Sequence, residues 1–295
     1  MRITPRCAVL ALTLAITPHS VYAQGDDASD QRNWSIMVSG GITAFGEDQE
    51  QPFVSAALRR EFGDFHLSLG GVLVGYDGPP PIIGDTIPAT TRQLVLGAGY
   101  GTSAFALDAY ISIGDRDFDR IMLTAPNGTI LNFNADGSSR ATGASATYQI
   151  ALGGRWYLSP FVALDYSEID TLQAIAGPTG DLVARRISES GVTGSGGATL
   201  QYALGMQSQH SLGLYTGLVS TSNAASTTRI GRTGAVTSAT QRIDGAGDGD
   251  TWLEYGVSTN FTLSQAVVLD LAVSRTTGLK FGEATSASAG VSVAF

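Results

Sequence analysis

From Ala287 to Phe295, apolar residues fall at every second position. Ala287, Ala289, Val291, Val293 and Phe295 alternate with Ser288, Gly290, Ser292 and Ala294. The same period runs upstream. Val267, Leu269, Leu271 and Val273 alternate with Val268, Asp270, Ala272 and Ser274, and Leu253, Tyr255 and Val257 with Glu254, Gly256 and Ser258. A period of two is the mark of a strand with unlike faces. It predicts twelve strands, over residues 33–45, 51–62, 64–76, 91–101, 104–113, 140–152, 155–169, 185–204, 208–220, 250–262, 265–276 and 281–295.

A soluble sandwich would bury the apolar face and carry many charges on the other. Here the polar face is Ser, Thr, Gly, Gln and Ala. Charged residues are 15% of the chain, below the usual quarter or so, and of the 17 basic residues only Lys280 is a lysine. That face suits a confined lumen better than bulk water. Most of the strands are as long as the ~9–11 residues that a tilted strand needs to cross the hydrocarbon. No stretch after the N-terminus offers a long unbroken apolar run. A membrane chain of this kind has one remaining route, a closed barrel in which every backbone polar group is paired. The fold class is therefore all-β, a transmembrane antiparallel β-barrel of 12 strands.

The connections alternate in length. Phe62-Gly63-Asp64, Thr102-Ser103, Gly153-Gly154, Gly205-Met206-Gln207 and Leu263-Ser264 are short. Residues 77–90, 114–139, 170–184 and 221–249 read as long loops. Short periplasmic turns and longer extracellular loops describe a bacterial outer-membrane barrel, and an even strand count puts both termini in the periplasm.

Residues 1–23 read as the signal peptide that such a location requires. Arg2 and Arg6 give a positive start, Cys7 to Thr17 an apolar run too short to span, and Val21-Tyr22-Ala23 a small-residue cleavage site. Residues 24–33 are a short polar segment, and 34–295 the barrel. Cleavage removes Arg2, Arg6 and none of the 26 acidic residues, taking the formal charge from −9 to −11. It also removes the chain's single cysteine, which excludes disulfides and cysteine–metal sites. An acidic chain with no basic cluster excludes nucleic acid as a partner. The expected partners are outer-membrane lipid and, during biogenesis, the barrel-assembly machinery.

Rings at the two interfaces sit well at headgroup level. Trp34, Phe65, Tyr100, Tyr148, Trp156, Tyr166, Tyr202, Tyr255 and Phe261 are the candidate aromatic girdle. Val291, Val293 and Phe295 resemble the C-terminal signature of outer-membrane proteins, which in that class is read by the assembly machinery.

The segment from Tyr148 to Asp170, YQIALGGRWYLSPFVALDYSEID, resembles the central hairpin of autotransporter β-domains: a strand with a Tyr, a short turn, then an aromatic-Leu-x-Pro strand ending in Tyr-Ser. Ser190 to Leu204 resembles the Gly-rich strand of that family, and the run from Trp252 to Gly278 its penultimate hairpin. The resemblance covers about 140–295 well and the rest by strand count and loop pattern. It implies a twelve-stranded translocator. The family's passenger and pore-threading helix have no counterpart in the ten polar residues Gln24 to Asn33, so the expectation is a translocator-type barrel without a passenger.

Three functions follow from a barrel of this kind. The first is a structural, surface-exposed role with loops outside. The second is a small passive porin, cation-preferring if the lumen is open, because Asp108, Asp165, Glu254 and Asp270 are candidate lumen acids. Arg155, Arg185 and Arg275 are candidate partners for them. The third is an outer-membrane enzyme of lipase or protease type. Its only candidates are His66 with Ser68, and His210, and nothing marks them as activated. Asp244-Gly-Ala-Gly-Asp248-Gly-Asp250 matches no full calcium template, and Asp115 to Asp119 reads as a solvated acidic loop. Gly97 to Gly101 lies in a strand followed by another strand, so it lacks the context of a phosphate loop. No catalytic residue, cofactor or metal is expected.

Overall fold

A computed structural model describes residues 33–45, 49–76, 87–124, 130–176, 182–205, 209–226, 232–233, 236–237, 248–280 and 282–295. The signal-peptide segment lies outside them. The alternating segments form twelve antiparallel strands: β1 (Trp34–Phe45), β2 (Gln49–Phe62), β3 (Phe65–Val74), β4 (Thr90–Gly101), β5 (Phe105–Thr124), β6 (Ile130–Tyr148, resuming after Gln149 as Ile150–Gly153), β7 (Trp156–Ala176), β8 (Leu182–Leu204), β9 (His210–Thr221), β10 (Asp250–Thr262), β11 (Val267–Thr277) and β12 (Ala284–Ala294). Each strand pairs with its neighbours in sequence, and β1 pairs with β12 from Ser35↔Ala294 to Phe45↔Ala284. That last pairing closes the sheet, so the barrel has no open edge.

The short turns join strands at the rim that carries Trp34 and Phe295. Phe62 pairs with Phe65 across the two-residue turn Gly63-Asp64, where Gly63 has φ 65°. Such turns need positive φ, which glycine adopts without strain. Near the turn between β6 and β7 the ladder lapses: Thr147 pairs with Phe161 and Ile150 with Leu158, but no rung joins them. Pro160 lies at the lapse, because proline has no N–H to donate. On the other side of β6 the Gln149 N–H carries on the ladder with β5, donating to the Ala104 carbonyl at 2.7 Å.

The structure corrects two of the expected loops. Residues 114–124 and 130–139 continue the β5–β6 ladder up to Thr124↔Ile130, with an irregularity between Phe118 and Ile121. Residues 170–176 and 182–184 continue the β7–β8 ladder up to Ala176↔Leu182. Strands of 20, 21 and 23 residues in β5, β7 and β8 exceed the ~9–11 needed to cross the hydrocarbon. One side of the barrel therefore stands well above the membrane as two tall hairpins. Asp115 to Phe118 belongs to the first of them and is no loop.

Candidate functional site

The two faces of the wall differ in kind. The outward face carries exposed Leu, Ile and Val on strand after strand, among them Leu67, Leu94, Ile113, Val162, Leu214 and Val273. The inward face carries Ser39, Ser55, Gln93, Ser112, Ser139, Ser159, Thr193, Thr199 and Ser258, all buried. An apolar outside around a polar inside is the arrangement lipid demands.

The inward face also carries large side chains, in two clusters on different arcs of the wall. Phe53, Val72 and Val74 pack with Val95 and Tyr110. Phe161 stacks on Tyr215 with ring centroids 5.6 Å apart, against Ala272. Trp252 and Met37 are buried on the same face. Glycines in the neighbouring strands make room for these rings. A Cβ at Gly143 would lie 2.5 Å from the Tyr110 ring, and one at Gly197 would lie 2.8 Å from the Phe161 ring.

All four candidate lumen acids lie on the inward face, and each has a neutral or histidine partner. The Tyr110 hydroxyl donates to Asp165 at 2.8 Å and the Tyr215 hydroxyl to Glu254 at 3.1 Å. Asn260 donates to Asp270 at 2.7 Å, and His66 Nε2 lies 3.2 Å from Asp108. The candidate arginine partners are elsewhere. Arg155 is in the turn before β7, Arg185 is on the tall β7–β8 hairpin, and Arg275 binds Glu283 on the outside. Sequence reading missed an inward arginine, Arg59, which lies 3.4 Å from Glu61 near the short-turn rim. Parity within β2 would have placed it inward.

The mouth at the long-hairpin rim is narrowed by two features that sequence carried no signal for. After β9 the chain folds inward as a short 3-10 turn, Ala224–Ser226, with all three residues buried. Asn223 donates to Glu189 at 2.8 Å, and the Ser167 hydroxyl donates to the Ser226 carbonyl. Beside it Arg116, 1% exposed, donates to the Asp170 carbonyl at 2.6 Å and lies 5.3 Å from the Phe118 ring centroid. Arg116 stands above the hydrocarbon, since its outward neighbours Asp115 and Asp117 are charged. Burial pulls its guanidinium down to about 10, with Asp170 opposing. Ile87, Ala89, Phe118, Leu172 and Ala174 form a small apolar core there, which ties the two tall hairpins together.

The aromatic candidates all point outward, but they are shared unequally between the rims. Trp34, Phe65, Tyr100, Tyr148, Trp156, Tyr202 and Phe261 lie at strand ends on the short-turn rim. Phe65 packs on Tyr100 at 4.9 Å and Trp156 on Tyr202 at 4.8 Å. Tyr166 and Tyr255 lie farther along their strands, opposite Thr142 and Arg275. Val291 and Val293 also face outward, and the Phe295 N–H donates to the Trp34 carbonyl at 2.8 Å.

His66 faces the lumen. His210 lies outside, packs on Phe261 at 5.8 Å and accepts the Thr262 N–H at 3.2 Å. Gly97 to Gly101 lies in β4, with Gly97 against the Ser68 hydroxyl. Among the described residues no three His, Asp or Glu side chains gather as a metal site would need. Most of the acidic run from Asp244 lies outside those residues. Asp250, at its end, accepts the Lys280 N–H at 3.1 Å.

The autotransporter beta-domain family model matches residues 84–274. The chain belongs to the autotransporter β-domain family. Solved structures agree in fold. The β domain of the Bordetella autotransporter BrkA aligns with a TM-score of 0.61 at 14% identity, over 89% of this chain and 99% of that one. The translocator domain of NalP from Neisseria meningitidis aligns at 0.60 and 15%, over 91% and 90%. LpxR from Salmonella typhimurium aligns at 0.51 and 12%, over 88% and 100%. A search of curated protein sequences finds no match. A closed barrel in this family is an outer-membrane protein.

Proposed function

We propose that this autotransporter-type barrel is a surface-presenting scaffold, with the short-turn rim and both ends of the barrel in the periplasm and the tall hairpins outside. The bulk of the inward side chains carries the reading. Phe53, Tyr110, Phe161 and Tyr215 occupy the lumen, and Asn223 to Ser226 narrows its outer mouth. Twelve strands lie between the eight whose lumen side chains fill and the sixteen or so that leave an aqueous channel. The inward residues decide which side of that range applies here. A passive cation porin would need those rings moved aside. In planar bilayers the purified protein is expected to be silent, and steady single-channel steps with cation preference would restore the porin reading.

We also propose that the barrel performs no catalysis. His66 lies beside Asp108, but among the described residues no hydrogen bond joins it to the Ser68 hydroxyl that would have to be activated, and His210 is held by Thr262 outside. A lipase or protease activity lost in His66→Ala or His210→Ala would contradict this.

A further inference from the structure

The arginines on the outer wall are of two kinds. Near the long-hairpin rim several stand beside a carboxylate: Arg92 lies 3.9 Å from Asp117, Arg275 binds Glu283, and Arg140 sits opposite Glu168; Arg186 donates to the Asp136 carbonyl. At the short-turn rim Arg60 has no such partner among the described residues. Its guanidinium carbon lies 5.0 Å from the Trp34 ring centroid and 4.7 Å from that of Phe62. Its cross-strand neighbour Leu67 and the preceding outward residue Leu58 are exposed and apolar. The adjacent Glu61 pairs with the inward Arg59 instead.

A cation on a lipid-facing wall is costly at the bilayer midplane and tolerated only near an interface. Two rings hold this one at the level of the aromatic belt, and a ring attracts a cation without using its N–H donors. The donors of a planar guanidinium suit a phosphate, which it can bind through two parallel hydrogen bonds. Among the described residues none offers an anion to them, and the surrounding phase can. We infer that Arg60, clamped by Trp34 and Phe62, is a docking site for one phospholipid headgroup phosphate at the short-turn rim. Choosing a phospholipid over another lipid phosphate rests on the orientation proposed above.

Native mass spectrometry of the folded protein, released from detergent with added phosphatidylglycerol, tests this. Diacylglycerol of the same chains and inorganic phosphate form the other arms. Wild type should retain a phosphatidylglycerol molecule, ignore diacylglycerol, and keep its lipid in the presence of phosphate. Arg60→Gln should lower retention roughly tenfold, the scale of one charge-assisted hydrogen bond. Arg60→Lys should lower it less, and Trp34→Leu should lower it with the charge intact. Equal retention in Arg60→Gln, equal binding of diacylglycerol, or displacement by inorganic phosphate would overturn the inference. Heat-modifiable gel mobility reports whether each variant folds. If Arg60→Gln fails to fold, undiminished retention in both Arg60→Lys and Trp34→Leu would overturn it. In detergent both rims are open, so this outcome is independent of which way the barrel faces.

Discussion

The two rims are ends of the same twelve strands, yet they are stabilised differently. The short-turn rim is tight and aromatic. Its strands reverse in a few residues, its rings pair on the outer surface, and Arg60 rests on rings. The long-hairpin rim is tall and polar. Arg92 and Arg275 pair with carboxylates there, Arg116 and Arg186 with backbone carbonyls, and its apolar packing lies between hairpins instead of facing lipid. The difference follows from what each rim touches. Rings gain where a membrane interface meets them. A hairpin that rises past the lipid must bury apolar surface against another hairpin.

The largest effect is expected where the tall hairpins are joined. Phe118→Ala removes the aromatic ring of that small core, and large-to-small changes of this kind cost about 3–5 kcal/mol. The loss should be local. Proteolysis within β5–β6 and β7–β8 should become fast while the boiling-dependent gel shift persists. If the barrel itself unfolded, the two rims would not be separate units. A smaller effect is expected at the short-turn rim. Trp156→Ala loses its packing on Tyr202, and such pairs contribute about 0.5–1.5 kcal/mol beyond their buried area. Urea unfolding in vesicles should show a clear loss for Trp156→Ala and a lesser one for Tyr166→Ala. Equal losses would mean that the belt is not concentrated at one rim.

The smallest effect concerns the long-hairpin rim's ion pairs. Hydrogen bonds from Arg275 hold the Glu283 carboxyl below its ordinary range. A carboxylate with a depressed folded value contributes above its unfolded pKa and loses that contribution as pH falls through the folded value. Glu283 should therefore titrate by NMR below a normal glutamate, and Arg275→Gln should return it to the normal range. An unchanged titration would remove the pair from the account.

Strand order and face were legible because alternation survives wherever one side meets lipid. The ladder above the membrane was not. At Asp115, Asp117 and Asp136 the outward residues turn polar, so the period vanishes while the pairing continues. Inward acids could be read from parity, but their partners could not. Tyr110 reaches Asp165 across Gly143 of the strand between them, which only the register reveals. Arg155, Arg185 and Arg275 were plausible by charge, yet a turn, a hairpin and an outward face keep them from the lumen. The inward turn at Asn223 to Ser226 has no periodic or motif signal at all.

The measurement that bears most directly on the two-rim account is labelling of single cysteines on intact cells. The chain's one native cysteine, Cys7, lies in the segment read as a cleaved signal, so an introduced thiol would stand alone. Ser188→Cys, exposed on the β7–β8 hairpin, should react with a membrane-impermeant maleimide on whole cells. Asp64→Cys, exposed in the turn between β2 and β3, should react only after the outer membrane is opened. Labelling of Asp64→Cys on intact cells, with Ser188→Cys protected, would contradict the account.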